Sequence, residues 1–579
     1  MKKKVIPFIT VAVLIIVVIL FMLLGNLIEK YTPSKERQDL SEYYSLNSDQ
    51  EVAIIFNNEV IADKGRLING VVYLDYQTVS KYINDRFFWD ANENILRYTT
   101  STDLISTNAE SSDYTVTKDS VSFGHTIVKA DASTAFIAID FVKQYSDFSY
   151  EVFTEPNRVV ITTAWGDYTV ASAKKDCELR YQGGIKSLIL ADVAKGSELT
   201  VLEPDETWTK VVTGDGIIGY VKSKNLSSTS TKTLSSDFVE EEFSHIVKNF
   251  EINMAWHQVT NQTANSNIST ILQNSKGINV ISPTWFYLNS NSGSIASLAS
   301  SDYVNYCHQN GVEVWALVSN LENPDVNTTE VLTHTSSRDS LTNDIISAAI
   351  QYNLDGINVD FEALDPAVGD AYIQFIRELS LKCANNGIVL SVDNYVPTDY
   401  TAFYDRAEQA AFADYVVIMG YDEHYSGSEE GSTASIGFVT EGIENTLKEV
   451  PAEQIILGMP FYTRVWSKTP EEGEVTETPE DEAVDSYVNY TLSSYAASMS
   501  EVQKLIRVNG AEPFWSDECG QYYVEYKNNG VLYQIWIEDV ASLEEKLKVM
   551  DSYHLAGGAF WKLGLEDSSV WDTIIKYIN

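Results

Sequence analysis

This sequence is short of cysteine, and of positive charge relative to negative. Four cysteines serve 579 residues, and Cys177, Cys307, Cys383 and Cys519 lie far apart with no C-x-x-C pair. That excludes a disulfide framework and a cysteine-based zinc or redox motif. The seven histidines form no H-E-x-x-H or H-x-x-x-H cluster, so no metal and no cofactor is expected. Lys and Arg number 40 against 82 Asp and Glu, a net charge of −42 with a pI near 4.4. Nucleic-acid binding needs a basic footprint, so nucleic acid is excluded as a partner, and electrostatic docking on anionic lipid or teichoic acid is disfavoured. A neutral ligand fits better. The 34 Tyr, 22 Phe and 11 Trp suit stacking on sugar rings, although most aromatics in any chain are core. With 44% hydrophobic and 21% charged residues the chain is globular, and at ~150 residues per domain its length implies three or four domains.

Lys2, Lys3 and Lys4 precede an uncharged apolar run, Val5 to Leu24. Twenty residues at the helical rise span a hydrocarbon core of ~30 Å. The run is longer than the ~7–15 residues usual in a cleaved signal, and Leu23-Leu24-Gly25-Asn26-Leu27 offers no small-x-small cleavage site. An uncleaved signal anchor is therefore favoured over a cleaved signal. The lysines favour a cytoplasmic N-terminus, with residues beyond about 30 outside a bacterial cell membrane. Both readings export the protein.

Residues 45–168 hold a repeat. Val79-Ser80-Lys81-Tyr82 recurs as Val142-Lys143-Gln144-Tyr145, and Tyr98-Thr99-Thr100 as Ile161-Thr162-Thr163, both at one offset, since 142 − 79 and 162 − 99 are each 63. Each copy reads as an extended segment, a short helix and strands. This resembles the copper-amine-oxidase N-terminal-like module, without copper ligands, and implies a stalk or wall contact. Residues 170–228 carry short strands around Trp208–Val212 and Gly219–Val221, in an order that resembles a bacterial SH3-like domain. Within them Gly214-Asp215-Gly216-Ile217-Ile218-Gly219 satisfies the dinucleotide fingerprint G-x-G-x-x-G. That motif needs a helix after it, whereas Asp-Gly between two β-runs is hairpin chemistry. The Ser/Thr-rich stretch that follows is expected to be a linker, residues 229–240.

From 241 to 579, short apolar strands alternate with helix-period stretches. Eight candidates are Ile252–Trp256, Ile278–Trp285, Val312–Val318, Gly356–Phe361, Ile388–Val392, Tyr415–Met419, Ile455–Met459 and Gly557–Trp561. The expected fold is α/β, a TIM (β/α)8 barrel preceded by small β-rich modules and the N-terminal transmembrane helix. Doubly wound folds share the alternation. The surplus over ~250 residues fits one insertion at about 466–536 that begins with the acidic stretch Pro470–Asp485.

The chemistry concentrates in Asp355-Gly356-Ile357-Asn358-Val359-Asp360-Phe361-Glu362. Side chains of a strand alternate faces, so Asn358, Asp360 and Glu362 share one face and Ile357, Val359 and Phe361 the other. The apolar set can pack on outer helices, leaving the polar set pointing into the barrel. Three buried polar side chains in a row are costly unless partners or a ligand satisfy them. Glu362 falls at the C-terminal end of the strand, where barrel enzymes keep their active sites.

This segment resembles the DxxDxDxE signature of glycoside hydrolase family 18, the chitinases and N-acetylglucosaminidases. Met419-Gly420-Tyr421-Asp422 is similar to the family's sixth-strand Met-x-Tyr-Asp. Gly458 to Arg464 is similar to its Gly-x-Pro-x-Tyr-x-Arg, and Gly557 to Trp561 to its eighth-strand segment. With the SH3-like module, the chain resembles the cell-wall-lytic and spore-cortex-lytic members. The resemblance implies a substrate-assisted retaining mechanism, an exception to the two-carboxylate scheme. Glu362 would be acid and then base, Asp360 would hold the substrate acetamide, and Tyr421 would orient it. Asn358, Met419, Asp422, Arg464 and Trp561 would line the pocket, with Trp561 beneath the sugar. The partner implied is peptidoglycan, with chitin-like glycan second, acted on by a monomer.

One position departs from the family pattern: its middle Asp is Asn358. Asp pairs can share a proton, whereas Asn can only donate a hydrogen bond, so Asp360 is expected to stay anionic over a wider pH range, with activity kept. The alternative is a catalytically silent, lectin-like wall-binding protein. Trp256, Trp285 and Trp466 are either sugar platforms or core, and His257 and His424 are either mouth or structural residues.

Overall fold

The computed structural model describes residues 5–131, 134–470 and 490–578. The chain divides into two units, Met1–Leu96 with Ser106–Glu240, and Arg97–Ile105 with Glu241–Asn579.

In the first unit, Val5–Tyr31 forms one helix. Among the described residues no helix is long and apolar enough to cross a membrane. The side chains of this helix that are described without a break run only from residue 9 to residue 22. The three lysines, and residues 5–8 and 23 of the expected Val5–Leu24 span, lie outside the described side chains. The sequence repeat reappears as paired elements at its own spacing: strands Val71–Asp75 and Thr134–Ala138, helices Tyr76–Tyr82 and Ile139–Gln144, and strands Ile95–Thr99 and Arg158–Thr162. The first of these helices starts where the Asp75 side chain accepts a hydrogen bond from the backbone N–H of Gln77, capping a donor that would otherwise be orphaned.

A second sheet of seven strands is built from residues 166–234. In it Trp208–Thr213 and Ile218–Lys222 pair antiparallel, Val212 opposite Ile218, so the glycine motif between them is a hairpin turn, with Gly216 at φ +83°. A strand, Ile218–Lys222, directly follows the motif in place of the helix that would receive a pyrophosphate. The expected linker differs from the structure. Ser230–Leu234 pairs with Gly166–Ser172 as an edge strand, because a run of β-branched threonines satisfies strand geometry as readily as it satisfies a linker composition.

In the second unit, eight parallel strands form a closed barrel: β1 (Ile252–His257), β2 (Val280–Leu288), β3 (Glu313–Ser319), β4 (Gly356–Asp360), β5 (Val389–Tyr395), β6 (Tyr415–Met419), β7 (Ile455–Pro460) and β8 (Gly557–Trp561). Closure is explicit, since β1 pairs with both β2 (Met254 with Val280) and β8 (Ile252 with Gly557). An open doubly wound sheet has no such second pairing. The barrel interior is a layered apolar core that includes Met254, Trp256, Trp315, Leu317, Val417 and Ile456. At β4 the residue in that layer is Gly356, because a Cβ there would stand 2.6 Å from the Trp315 ring.

The insertion lies between β7 and β8. Its five-stranded sheet uses Tyr462–Pro470, Tyr490–Ser498, Phe514–Ser516, Gln521–Asn528 and Val531–Ile537, with the helix Met499–Asn509 on one face. Beyond Pro470, the acidic stretch to Asp485 lies outside the described residues.

Candidate active site

At the C-terminal mouth of the barrel, β4 and β5 run side by side in the register Asn358 with Ser391 and Val359 with Val392. Just beyond these pairs Asp360 and Asp393 line one cavity, with Asp393 acting electrostatically on Asp360, and Tyr395 bonds Glu362. Neighbouring strands lie about 4.8 Å apart, so these side chains form a two-column polar ladder rising to the mouth. A cavity of about 180 Å³ opens on it, lined by Trp256, Asp360, Glu362, Asp393, Tyr395, Met419, Tyr421, Asp422 and Trp561.

The lowest rung is fully satisfied. Asn358 has no solvent exposure. Its carbonyl oxygen accepts from Trp256 Nε1 (2.9 Å) and Ser282 Oγ (3.1 Å). Its amide nitrogen donates to Ser391 Oγ (3.0 Å) and Asp393 Oδ1 (2.7 Å). All four hydrogen-bonding positions of an Asn side chain are filled.

The middle rung is not. Asp360 Oδ1 is buried without a hydrogen-bond partner. Burial raises the Asp360 carboxyl well above the usual carboxylate range, and Asp393, Glu362 and Glu322 push it in the same direction. Asp393 is pushed up to about 8 by burial, with the hydrogen bond from Asn358 opposing and Glu362 adding to the rise. The expectation that Asp360 titrates free of a carboxyl partner therefore does not hold: Asp360 and Asp393 are both raised, and each bears on the other's ionisation. Asn358 does remove a carboxylate from β4, but β5 supplies another beside Asp360, and like charges at such spacing cannot both ionise freely.

Glu362 stands two residues beyond the end of β4 rather than within it, and its placement rests on backbone contacts. Its N–H donates to Asn320 Oδ1 and its carbonyl accepts from Asn320 Nδ2, both at 2.9 Å. Asn320, just past β3, thus grips the peptide as a second strand would. The carboxyl accepts from Tyr395 OH at 2.8 Å. Burial raises it above the usual carboxylate range; the Tyr395 bond opposes, while Asp422 and Glu322 add to the rise. An upward shift is the direction a general acid needs.

The remaining expected residues gather round the same cavity. Tyr421 faces it, and burial beside Asp393 and Asp360 raises its phenol well above the ordinary range, so it remains a donor. Met419 ends β6 and is buried. Asp422, at φ +58°, accepts from Tyr462 OH at 2.5 Å. Arg464 on the Tyr462–Pro470 strand lies 3.8 Å from Asp422 and donates to Ser494. Trp561, at the end of β8, packs edge-on against Trp256, ring centroids 5.9 Å apart.

The open alternatives resolve by burial. Trp285 and Trp466 are core, their indole N–H groups given to Asn265 and to the Gly431 carbonyl. Trp256 is nearly all buried, gives its indole N–H to Asn358 and still lines the cavity. His257 is structural: it meets Tyr303 OH at 2.9 Å, and burial, with Lys562 nearby, lowers it to about 4. His424 is held at the Ser432 carbonyl. Asp393, Tyr395 and Asn320 were not singled out from the sequence. The Ser391-Asp393-Tyr395 alternation along β5 is the signal that could have shown two of them.

The family model described as glycosyl hydrolases family 18 matches residues 217–566, more than half of the chain. A Bacillus subtilis protein named uncharacterized glycosylase YvbX is 26% identical over 315 residues, covering 52% of this chain and 84% of that protein. The cortical fragment-lytic enzyme of Bacillus subtilis is 27% identical over 249 residues, covering 41% of this chain and about half, 53%, of the relative. The solved structure of the Bacillus cereus spore cortex-lytic enzyme SleL aligns with a TM-score of 0.49 at 21% identity, covering 60% of this chain and 78% of that one.

Proposed function

The chain belongs to glycosyl hydrolases family 18, and from that premise we propose that it hydrolyses β-1,4 bonds of GlcNAc-containing glycans, peptidoglycan first and chitin-type glycan second, by substrate-assisted retaining catalysis. The observation that carries this reading is Glu362, an acid at the mouth of β4 whose carboxyl burial raises above the usual carboxylate range, facing Asp360 and Tyr421 across one small cavity. Glu362 gives its proton to the leaving glycosidic oxygen. The substrate's own acetamide oxygen attacks the anomeric carbon, forming an oxazolinium ion. Asp360, whose Oδ1 has no protein partner, accepts the acetamide N–H, and Tyr421 donates to the acetamide oxygen. Glu362 then takes a proton from the water that opens the ring, so configuration is retained. Trp561 forms the floor under the reacting sugar, and Met419, Asp422 and Arg464 close the pocket around it.

The test is to incubate the full chain with purified peptidoglycan and with chitotetraose and to identify new reducing ends by mass spectrometry. GlcNAc ends from peptidoglycan, with the β-anomer appearing first, are expected. Inverted product would overturn the mechanism. Binding without release from either glycan would favour the lectin-like reading.

The proposal includes anchoring in a bacterial cell membrane by Val5–Leu24, with the barrel outside the cell. Its support is that Ile9, Leu14, Phe21 and Met22 are all more than half exposed on the Val5–Tyr31 helix, an apolar surface that water disfavours. After carbonate washing, the full chain is expected to stay with the membrane pellet and a chain lacking residues 1–30 to leave it. Recovery of the full chain in the wash would defeat the anchor.

A further inference from the structure

We infer that Asp393 and Asp360 hold one proton between them, so that β5 supplies the carboxyl partner that Asn358 cannot supply from β4. This rests on the reading of Asp360 as the residue that receives the substrate acetamide, and it assigns to Asp393 a positioning role.

The argument begins with the orientation of Asn358. Two donors, Trp256 Nε1 and Ser282 Oγ, meet its carbonyl oxygen, and an indole N–H can only donate. The amide cannot be flipped without setting Trp256 against an NH2 group. Its nitrogen therefore faces Ser391 and Asp393, and Asp393 Oδ1 is fixed as an acceptor at 2.7 Å. The proton of a neutral Asp393 must then sit on Oδ2. Asp360 lines the same cavity and feels the charge of Asp393, and its Oδ1 is buried and lacks a donor. A hydroxyl on Asp393 Oδ2 supplies that donor, and the pair carries one negative charge in total.

The surrounding groups oppose a second negative charge. Glu362 and Glu322 act on Asp360, and Glu362 on Asp393, in the acid-raising direction. Tyr421, Tyr372 and Tyr404 face the pair as neutral phenols, their own titration raised by burial and by these carboxylates. Arg406 acts on Tyr372 and Tyr404, and no cation is among the groups that shift either Asp. When substrate arrives, its acetamide N–H can replace the Asp393 hydroxyl at Asp360 without changing the charge of the pair. Asp393 thereby sets how Asp360 is oriented and how strongly it accepts, and it need not touch the sugar.

Three full-chain variants test this. Asp393→Asn keeps the shape and can still accept from Asn358, but cannot share a proton. Asn358→Asp with Asp393→Asn moves the carboxyl back to β4, where Trp256 and Ser282 can donate to one oxygen while Ser391 and the new amide serve the other. Asn358→Asp alone crowds a third carboxylate into the ladder. Kcat/KM would be followed against pH with chitotetraose and with purified peptidoglycan, together with the infrared carbonyl band of protonated carboxyl groups, which needs no substrate and is read in a Glu362→Gln background as the difference from a chain carrying both Asp360→Asn and Asp393→Asn, so that neither Glu362 nor the other buried carboxyls contribute to it. In the wild type an inflection near the Asp393 value of about 8 and a protonated-carboxyl band at neutral pH are expected. Asp393→Asn should lose both, and lose roughly tenfold or more in kcat/KM. The exchanged double variant should regain the band and come to within about threefold of wild type, tenfold or better above the single variant.

An Asp393→Asn chain that keeps the band and the inflection overturns the inference, as does a folded double variant no better than Asp393→Asn in either readout. If the band behaves as expected while wild type cleaves neither glycan, the shared proton stands and the proposed function fails. If wild type cleaves but the band does not depend on Asp393, the proposed function stands and the shared proton fails.

Discussion

Glu362→Gln should lower kcat on peptidoglycan fragments by about 10²–10⁴-fold, the range for loss of a general acid–base group, while leaving KM and the melting temperature nearly unchanged. The reason is local. Gln fills the same volume, Tyr395 OH can still donate to its amide oxygen, and the Asn320 grip is on the backbone, which the substitution does not alter. What disappears is the transferable proton. The wild-type profile adds a signed expectation. Because burial, with Asp422 and Glu322, raises the Glu362 carboxyl, activity that depends on the protonated form should persist above the ordinary carboxylate range and fall as pH rises through the raised value. A variant within tenfold of wild type in kcat would remove Glu362 from the acid role.

The second large effect is on stability. Glu378, on the helix Gly369–Asn386 that follows β4, is fully buried between Arg338 (Nε at 3.2 Å) and Arg97 (NH1 at 2.8 Å), with Gln374 Nε2 at 3.0 Å. Arg97 also reaches Asp339 at 2.7 Å. Burial alone would raise the Glu378 carboxyl, but the two guanidinium groups outweigh it and hold the group at about 2. Removing one member of a buried ion pair costs about 3–5 kcal/mol, because the partner charge stays buried. Glu378→Ala is therefore expected to lower the barrel's melting temperature by on the order of 10 °C. The barrel transition is identifiable in calorimetry as the one of larger enthalpy, and a shift below about 2 °C would contradict the prediction. The pH dependence follows from the depressed folded value. The stabilisation is complete above the unfolded value near 4.5 and is lost as pH falls toward 2. Wild type should thus lose stability across that acid window, and the variant should lose less.

These two groups differ in how far the sequence reveals them. Glu362 is legible because strand periodicity is local: alternation alone puts Asn358, Asp360 and Glu362 on one face, and the register of β4 confirms the inward direction of Asn358 through its bonds to β1, β2 and β5. The repeat in 45–168 and the hairpin at Gly214–Gly219 are legible for the same reason, since short-range φ/ψ preferences and fixed spacings determine both. Glu378 is not legible. On a helix read by itself it is one more acid, and only packing brings Arg338 from the preceding helix and Arg97 from far upstream against it.

The sequence by itself determined the barrel strands, the polar column of β4 and the acid that ends it, since each follows from periodicities of two or 3.6 residues within one segment. The tertiary structure alone decided that Asp393 stands beside Asp360, that Asn320 clamps the Glu362 peptide, and that Trp285 and Trp466 are core rather than sugar platforms. These outcomes depend on the register between strands and on the closure of the barrel. Both are fixed by the joint packing of segments dozens of residues apart, and no local pattern encodes which neighbour a side chain will meet.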